Sequence, residues 1–159
     1  MTRRPLLAML CAIGLAPRLS NAQGPAGAPK VEPLHLSDAE WKKRLTRDQY
    51  AVMREEGTER PYTSPLNDEH RPGVFHCAGC DLALFSSTTK FDSGTGWPSF
   101  YTALPGAVAM KTDFKLVMPR TEYHCARCAG HQGHVFDDGP KPTGKRYCNN
   151  GVALKFVPA

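Results

Sequence analysis

Two stretches in the first third of the chain set apolar residues around a helix-start signal. In Leu36-Ser37-Asp38-Ala39-Glu40-Trp41, Ser37 and Glu40 make a capping box, with Leu36 and Trp41 as the apolar staple around it. Leu45-Thr46-Arg47-Asp48-Gln49-Tyr50 repeats the device, with Thr46 and Gln49 as the box and Leu45 and Tyr50 as the staple. The spacing predicts two short helices that pack through Trp41 and Tyr50, with Gly57 ending the second. From Pro61 onward the pattern changes to short apolar runs broken by Gly, Pro and Asp. These predict strands over 74–76, 82–85, 108–110, 114–118, 122–124, 134–136 and 152–157. In the last run Val152, Leu154 and Phe156 alternate with Ala153, Lys155 and Val157, as the two faces of a strand require.

At 159 residues the chain has room for one domain, and 14 Gly and 14 Pro agree with short elements and many turns. The formal charge of +5 does not signal a nucleic-acid partner. Arg3, Arg4 and Arg18 account for three of those charges within residues 1–22, which hold no acid, and the remaining +2 forms no basic stripe. Residues 1–22 instead read as an export signal peptide. They have a basic start, an apolar run from Leu6 to Ala16, and Ser20 and Ala22 at a cleavage site of the A-x-A type. Thr2-Arg3-Arg4-Pro5-Leu6-Leu7 resembles a twin-arginine signal, which points to a bacterial periplasm. The apolar run is too short for a stable membrane anchor. Residues 23–34, rich in Gly, Ala and Pro, read as a flexible linker, and 35–159 as the folded domain.

Cysteine spacing brings in the chemistry. Cys77-Ala78-Gly79-Cys80 and Cys125-Ala126-Arg127-Cys128 are two matched Cys-x-x-Cys knuckles with 44 residues between them. Such pairs can close a four-sulfur metal site, form two disulfides, or act as redox pairs. The match between the knuckles favours one structural zinc held by Cys77, Cys80, Cys125 and Cys128. Cys148 is then the odd thiol of the folded region. Arg146, two residues before it, would favour the reactive thiolate; the alternative is a small buried hydrophobe.

Four further segments occur in order with these knuckles: Glu56-Gly57-Thr58-Glu59-Arg60-Pro61, Phe91-Asp92-Ser93-Gly94-Thr95-Gly96-Trp97-Pro98-Ser99-Phe100, Gly133-His134-Val135-Phe136-Asp137-Asp138-Gly139-Pro140, and Arg146-Tyr147-Cys148-Asn149-Asn150. Together, from Leu36 to Phe156, they resemble the B-type peptide methionine sulfoxide reductases, which reduce the R epimer of methionine sulfoxide. The resemblance implies a mainly β fold, two antiparallel sheets with short N-terminal helices, and a structural four-cysteine zinc site remote from the catalytic thiol. It implies Cys148 as the nucleophile that becomes a sulfenic acid, His134 as the acid and His131 assisting it. Arg146 would stabilise the thiolate, and Asp138 and Asn150 would order the polar network. Trp97 and Phe136 would form the apolar wall for the substrate methyl group. Oxidised methionine, in proteins or free, would be the substrate. Many relatives carry a resolving cysteine where this chain has Thr95, so the reductant here would be an external thiol or a thioredoxin-like protein. Two rival readings remain at this point: a non-catalytic zinc-knuckle binding module, and a disulfide oxidoreductase working through the Cys-x-x-Cys pairs.

Overall fold

The computed structural model describes residues 30–114 and 119–159. The two capping boxes form as the sequence predicts. Helix α1 (Asp38–Arg44) starts at Ser37 and helix α2 (Arg47–Met53) at Thr46, each with both arms of its box closed. Lys42, Lys43 and Arg44 fill the last turn of α1, where cations suit the carbonyl end of the helix. The end of α2 differs from expectation. The helix stops at Met53, Glu56 takes the left-handed conformation (φ 55°), and Gly57 N–H closes back on Ala51 O at 2.9 Å.

The rest of the described chain is mainly β, in two antiparallel sheets. The smaller contains β1 (Gly73–Cys77), β2 (Ala83–Ser86) and, added later, β9 (Leu154–Pro158), with β1 in the centre. The larger uses β3 (Lys90–Phe91), β4 (Ser99–Phe100), β5 (Val108–Asp113), β6 (Arg120–Cys125), β7 (His131–Phe136) and β8 (Arg146–Asn149), in the order β3-β4-β8-β7-β6-β5. Three of these strands, β3, β4 and β8, were not predicted. Conversely, Val152 and Ala153 lie in a 3-10 turn (Gly151–Ala153) that precedes β9. Of the strand expected over 114–118, Phe114 lies just past β5, and 115–118 fall outside the described residues, as do the expected export signal and residues 23–29 of the expected linker.

The sheets meet through an aromatic cluster. Phe85 stacks on Phe100 at 4.2 Å and 12°, and Phe75 meets Phe100 edge-on at 5.0 Å. Tyr123 and Tyr147 complete the cluster against Phe85. Phe75, Phe85, Phe100 and Tyr123 are fully buried, and each contributes about 1.5–3 kcal/mol through the apolar area it removes from water.

Helix α2 is pinned from the other side by Met53. Its methyl would lie 2.9 Å from a Cβ at position 79 and 2.8 Å from one at position 130, so Gly79 and Gly130 leave the slot it occupies.

Candidate functional site

Strand pairing in the larger sheet lines up one row of directly opposed residues: Ser99, Cys148, His134, Glu122 and Lys111. Opposed residues project from the same face of an antiparallel sheet, so this register alone brings Cys148 beside His134. The neighbouring row, Phe100, Tyr147 and Val135, turns to the aromatic core, which leaves the chemical row on the opposite face. Gly133 is required there, because a Cβ would fall 1.9 Å from Cys148 O.

Cys148 is half-buried at the floor of a pocket of ≈ 210 Å³. Trp97 and Phe136 supply its apolar lining, and His134, Asn150, Thr58 and Arg120 its polar lining. The Thr95 hydroxyl and the Arg146 guanidinium are the nearby groups that favour the charged form of the Cys148 thiol. Burial pushes this thiol above its ordinary value, and Arg146 and Thr95 offset that only in part. The expectation that Arg146 favours the thiolate therefore has the right sign, but desolvation outweighs it.

His134 donates from Nε2 to Asp113 Oδ2 at 2.7 Å, and Arg120 holds the same oxygen at 2.7 Å. Burial lowers the His134 pKa, partly countered by the Asp113 hydrogen bond. Near neutral pH the resting pair is thus thiol and neutral imidazole. His131 does not line the pocket. It is buried behind His134, with ring centroids 5.4 Å apart and its Nδ1 2.9 Å from Glu122 Oε1.

Arg146 grips Asp138 through two bonds of 2.9 and 2.8 Å and lies 4.4 Å from the centre of the Phe136 ring, so Asp138 and Phe136 together aim the guanidinium. Asn150 donates to Gln132 O at 3.0 Å and accepts from Glu59 N–H at 3.0 Å. Glu59 O in turn accepts from the Trp97 indole at 3.2 Å, and its carboxylate takes Gly151 N–H and Val152 N–H.

The four knuckle cysteines form a second site. Their sulfurs lie within 4.8 Å of one another, at 3.6 Å for Cys77 and Cys128 and 3.4 Å for Cys80 and Cys125. A tetrahedral metal with bonds of about 2.3 Å sets sulfurs about 3.8 Å apart, so the cluster fits one ion. Both knuckles close alike, with Asp81 N–H on Cys77 O and Ala129 N–H on Cys125 O at 2.9 Å, and both turn through a left-handed residue, Asp81 (φ 66°) and Ala129 (φ 54°). Arg44, Arg54 and Arg127 donate to Gly79 O, Cys128 O and Cys80 O, placing three cations around four thiol sulfurs. Gln132 donates to Cys77 Sγ at 3.6 Å, the outer partner a metal-bound sulfur needs. None of the four cysteines lines the Cys148 pocket.

Residues 45–158 match the SelR domain family. The chain belongs to that family. A peptide methionine sulfoxide reductase MsrB of Agrobacterium fabrum is 52% identical over 132 residues, 82% of this chain and 96% of its own length. Chloroplastic peptide methionine sulfoxide reductases B1 of Oryza sativa subsp. japonica and Arabidopsis thaliana are 56% and 52% identical, over 76% and 89% of this chain. The chain spans 57% of the rice protein and 69% of the Arabidopsis one. Among solved structures, the Mis18 'Yippee-like' domain aligns with 56% of this chain at 19% identity and a TM-score of 0.44, too distant a likeness to bear on the site.

In this SelR chain, then, the residues singled out from sequence fall into three groups. Cys148, His134, Trp97, Phe136 and Asn150 line one pocket; His131 is buried behind His134, while Arg146 and the exposed Asp138 lie outside the lining; the four knuckle cysteines form the separate cluster. Sequence reading missed Asp113, Glu122, Arg120, Glu59 and Gln132. Of these, Glu59 alone lies inside one of the sequence motifs. The others are fixed by strand pairing, which no local spacing reveals.

Proposed function

We propose that the protein reduces methionine-R-sulfoxide, in proteins or free, to methionine, with Cys148 as nucleophile and His134 as general acid. The observation that carries this is the pairing of His134 with Cys148 in a pocket walled by Trp97 and Phe136. It brings together the three things sulfoxide reduction needs: a sulfur nucleophile, a proton donor and an apolar seat for a methyl group. Cys148 attacks the sulfoxide sulfur as thiolate while His134 protonates the sulfoxide oxygen. The sulfur–oxygen bond and the new bond between the two sulfurs then break, the hydroxyl passes to Cys148 as a sulfenic acid, and the electron pair of the sulfur–sulfur bond stays on the methionine sulfur. Arg146 and Thr95 hold the thiolate, and Asp138 fixes Arg146 in place. The names of the relatives support methionine sulfoxide as the substrate, and the resemblance of the motifs to the B-type reductases implies the R epimer. Assay on separated epimers tests the reading: turnover of the R form alone is expected, and turnover of the S form alone, or of neither, would sink it.

Two protonation states must coexist for the reaction, thiolate and imidazolium. Because burial raises Cys148 and lowers His134, both needed forms occur together in a small, constant fraction of molecules between the two pKa values. The rate constant kcat/KM should therefore rise up to the His134 pKa, below about 6.5, stay level, and fall only above the ordinary thiol range near about 8.5. His134→Ala should lower kcat by about 10²–10⁴-fold. An unchanged kcat would remove His134 from the chemistry.

We also propose that the metal is one structural zinc on Cys77, Cys80, Cys125 and Cys128. Four thiolates leave no open coordination position, so the ion steadies the fold and takes no part in the reaction. The same four cysteines, none more than 5% exposed, are too buried for disulfide exchange with a partner. The basic, apolar and small-residue succession of residues 1–22 supports export to a bacterial periplasm.

Recycling follows from Thr95. The Cys148 sulfenic acid has a hydroxyl, not a thiol, beside it, so the reductant is an external thiol or a thioredoxin-like protein. One thiol condenses with the sulfenic acid to a mixed disulfide and water, and a second releases Cys148. Since Thr95 acts on the Cys148 thiol from close by, Thr95→Cys should form a disulfide with Cys148 after one turnover. Wild-type enzyme oxidised by one equivalent of substrate should instead show sulfenic acid by mass. A disulfide from Cys148 to a knuckle cysteine at the rate of turnover would overturn this.

A further inference from the structure

The row behind His134 holds a group that the reaction as derived does not use. Glu122 sits in the middle of the larger sheet with 3% of its surface exposed, directly opposed to His134 on β7. A carboxylate is costly to bury unless paired, and this one is paired on both sides. Lys111 Nζ approaches Glu122 Oε2 at 3.0 Å and also binds Glu56 at the surface. On the inner side His131 Nδ1 lies 2.9 Å from Glu122 Oε1. His131 is itself 2% exposed, and among the described residues neither ring nitrogen has an aligned hydrogen-bond acceptor or donor. Its ring packs edge-on against the His134 ring.

We propose that Glu122 is a positioning residue for the acid step, its buried carboxylate acting, through the edge-packed His131 ring, as the counter-ion behind His134 that helps it hold the proton for the sulfoxide oxygen. The inference rests on the reductase reading and deepens it. Other charged groups around the pair have their own signs. Asp113 of β5 bonds His134 and favours its charge, whereas Arg120 of β6 opposes it. Lys111 of β5 offsets Glu122, and Glu56, from the turn after α2, offsets Lys111. His124 of β6 also lies within the field of Glu122. From β8, the Arg146 cation is taken up by Asp138, and α2 presents the uncharged Met53 to Gly130. Among the described residues, Glu122 is thus the carboxylate set against His131.

The test is the pH profile of kcat/KM for the full protein with methionine-R-sulfoxide. Removing the charge with Glu122→Gln makes His134 a stronger acid, so the acid limb should move to lower pH. The same shift lowers the fraction of molecules holding thiolate and imidazolium together. The plateau should therefore fall by the factor the limb predicts, about tenfold for one unit. Glu122→Asp should restore part of both. Lys111→Met, at a half-exposed position, should move the limb the other way by a few tenths of a unit at low salt, and it covers the case in which Glu122→Gln fails to fold. A loss of rate in Glu122→Gln with the limb unmoved would overturn the inference and leave the reductase reading standing, as would a Lys111→Met limb that stays put or moves down. No R-sulfoxide turnover by the wild type would defeat both.

Discussion

Cys148→Ser is expected to bring turnover of methionine-R-sulfoxide to background while leaving metal content and thermal unfolding close to wild type. The side chain sits on β8, a strand paired on both sides by β4 and β7, so its backbone is held whatever the side chain. A serine hydroxyl is polar enough to sit beside Thr95 and Arg146, and it is smaller than the thiol, so nothing is overpacked. Little folding free energy is at stake. The chemistry is another matter, because a hydroxyl without a dedicated base is a far weaker nucleophile than a thiolate near neutral pH. Nor can an attacking oxygen end as a sulfenic acid. Circular dichroism and metal analysis establish that the variant is folded, and a single-turnover assay then isolates the sulfur. Methionine formed by folded Cys148→Ser at a substantial rate would take the nucleophile's role away from Cys148.

The same residue shows what could be read from the chain beforehand. Its neighbours Arg146 and Asn150 were recognisable because they lie in one pentapeptide, and the knuckles because two cysteines within four residues are a local signal in themselves. The two helices were legible for a similar reason, as each capping box spans only a few residues. Strands β3, β4 and β8 were not. Two are only two residues long, and β8, Arg-Tyr-Cys-Asn, is polar because it is held by pairing on both edges, with Tyr147 turned to the core and Asn149 buried beside it on the Tyr123 hydroxyl. What was missed in the site follows from those strands. Asp113 reaches His134 across 21 residues, and Glu122 reaches it only through the register of β6 on β7. Electrostatic sign was legible and balance was not: Arg146 does favour the Cys148 thiolate, but the depth of the thiol is a property of the assembled sheet.

Loss of one metal ligand should have the largest effect on the fold. Cys77 ends β1 in the smaller sheet and Cys125 ends β6 in the larger, so one ion held by the four sulfurs would tie the two sheets at their edge, beside the point where Met53 anchors α2. A structural zinc of this kind supplies on the order of 10 kcal/mol of folding free energy, against about 5–15 kcal/mol for the net stability of a whole domain. Cys125→Ser leaves three thiols and an alcohol in a site almost closed to solvent, so most of that stabilisation should go. Removal of the ion should also reach the catalytic pocket. Gln132 binds Cys77 Sγ through its amide nitrogen, approaches Asn149 through its amide oxygen, and gives its backbone carbonyl to Asn150, and both asparagines line the pocket. Cys125→Ser is therefore expected to purify without zinc, to lack a cooperative thermal transition, and to be inactive although Cys148 and His134 are intact. Wild-type protein should carry one zinc per chain, and cobalt refolded in its place should show the absorption of a tetrahedral four-thiolate complex. Two disulfides and no metal in the wild type, by mass, would refute the zinc and leave the pocket chemistry to be judged on its own assay.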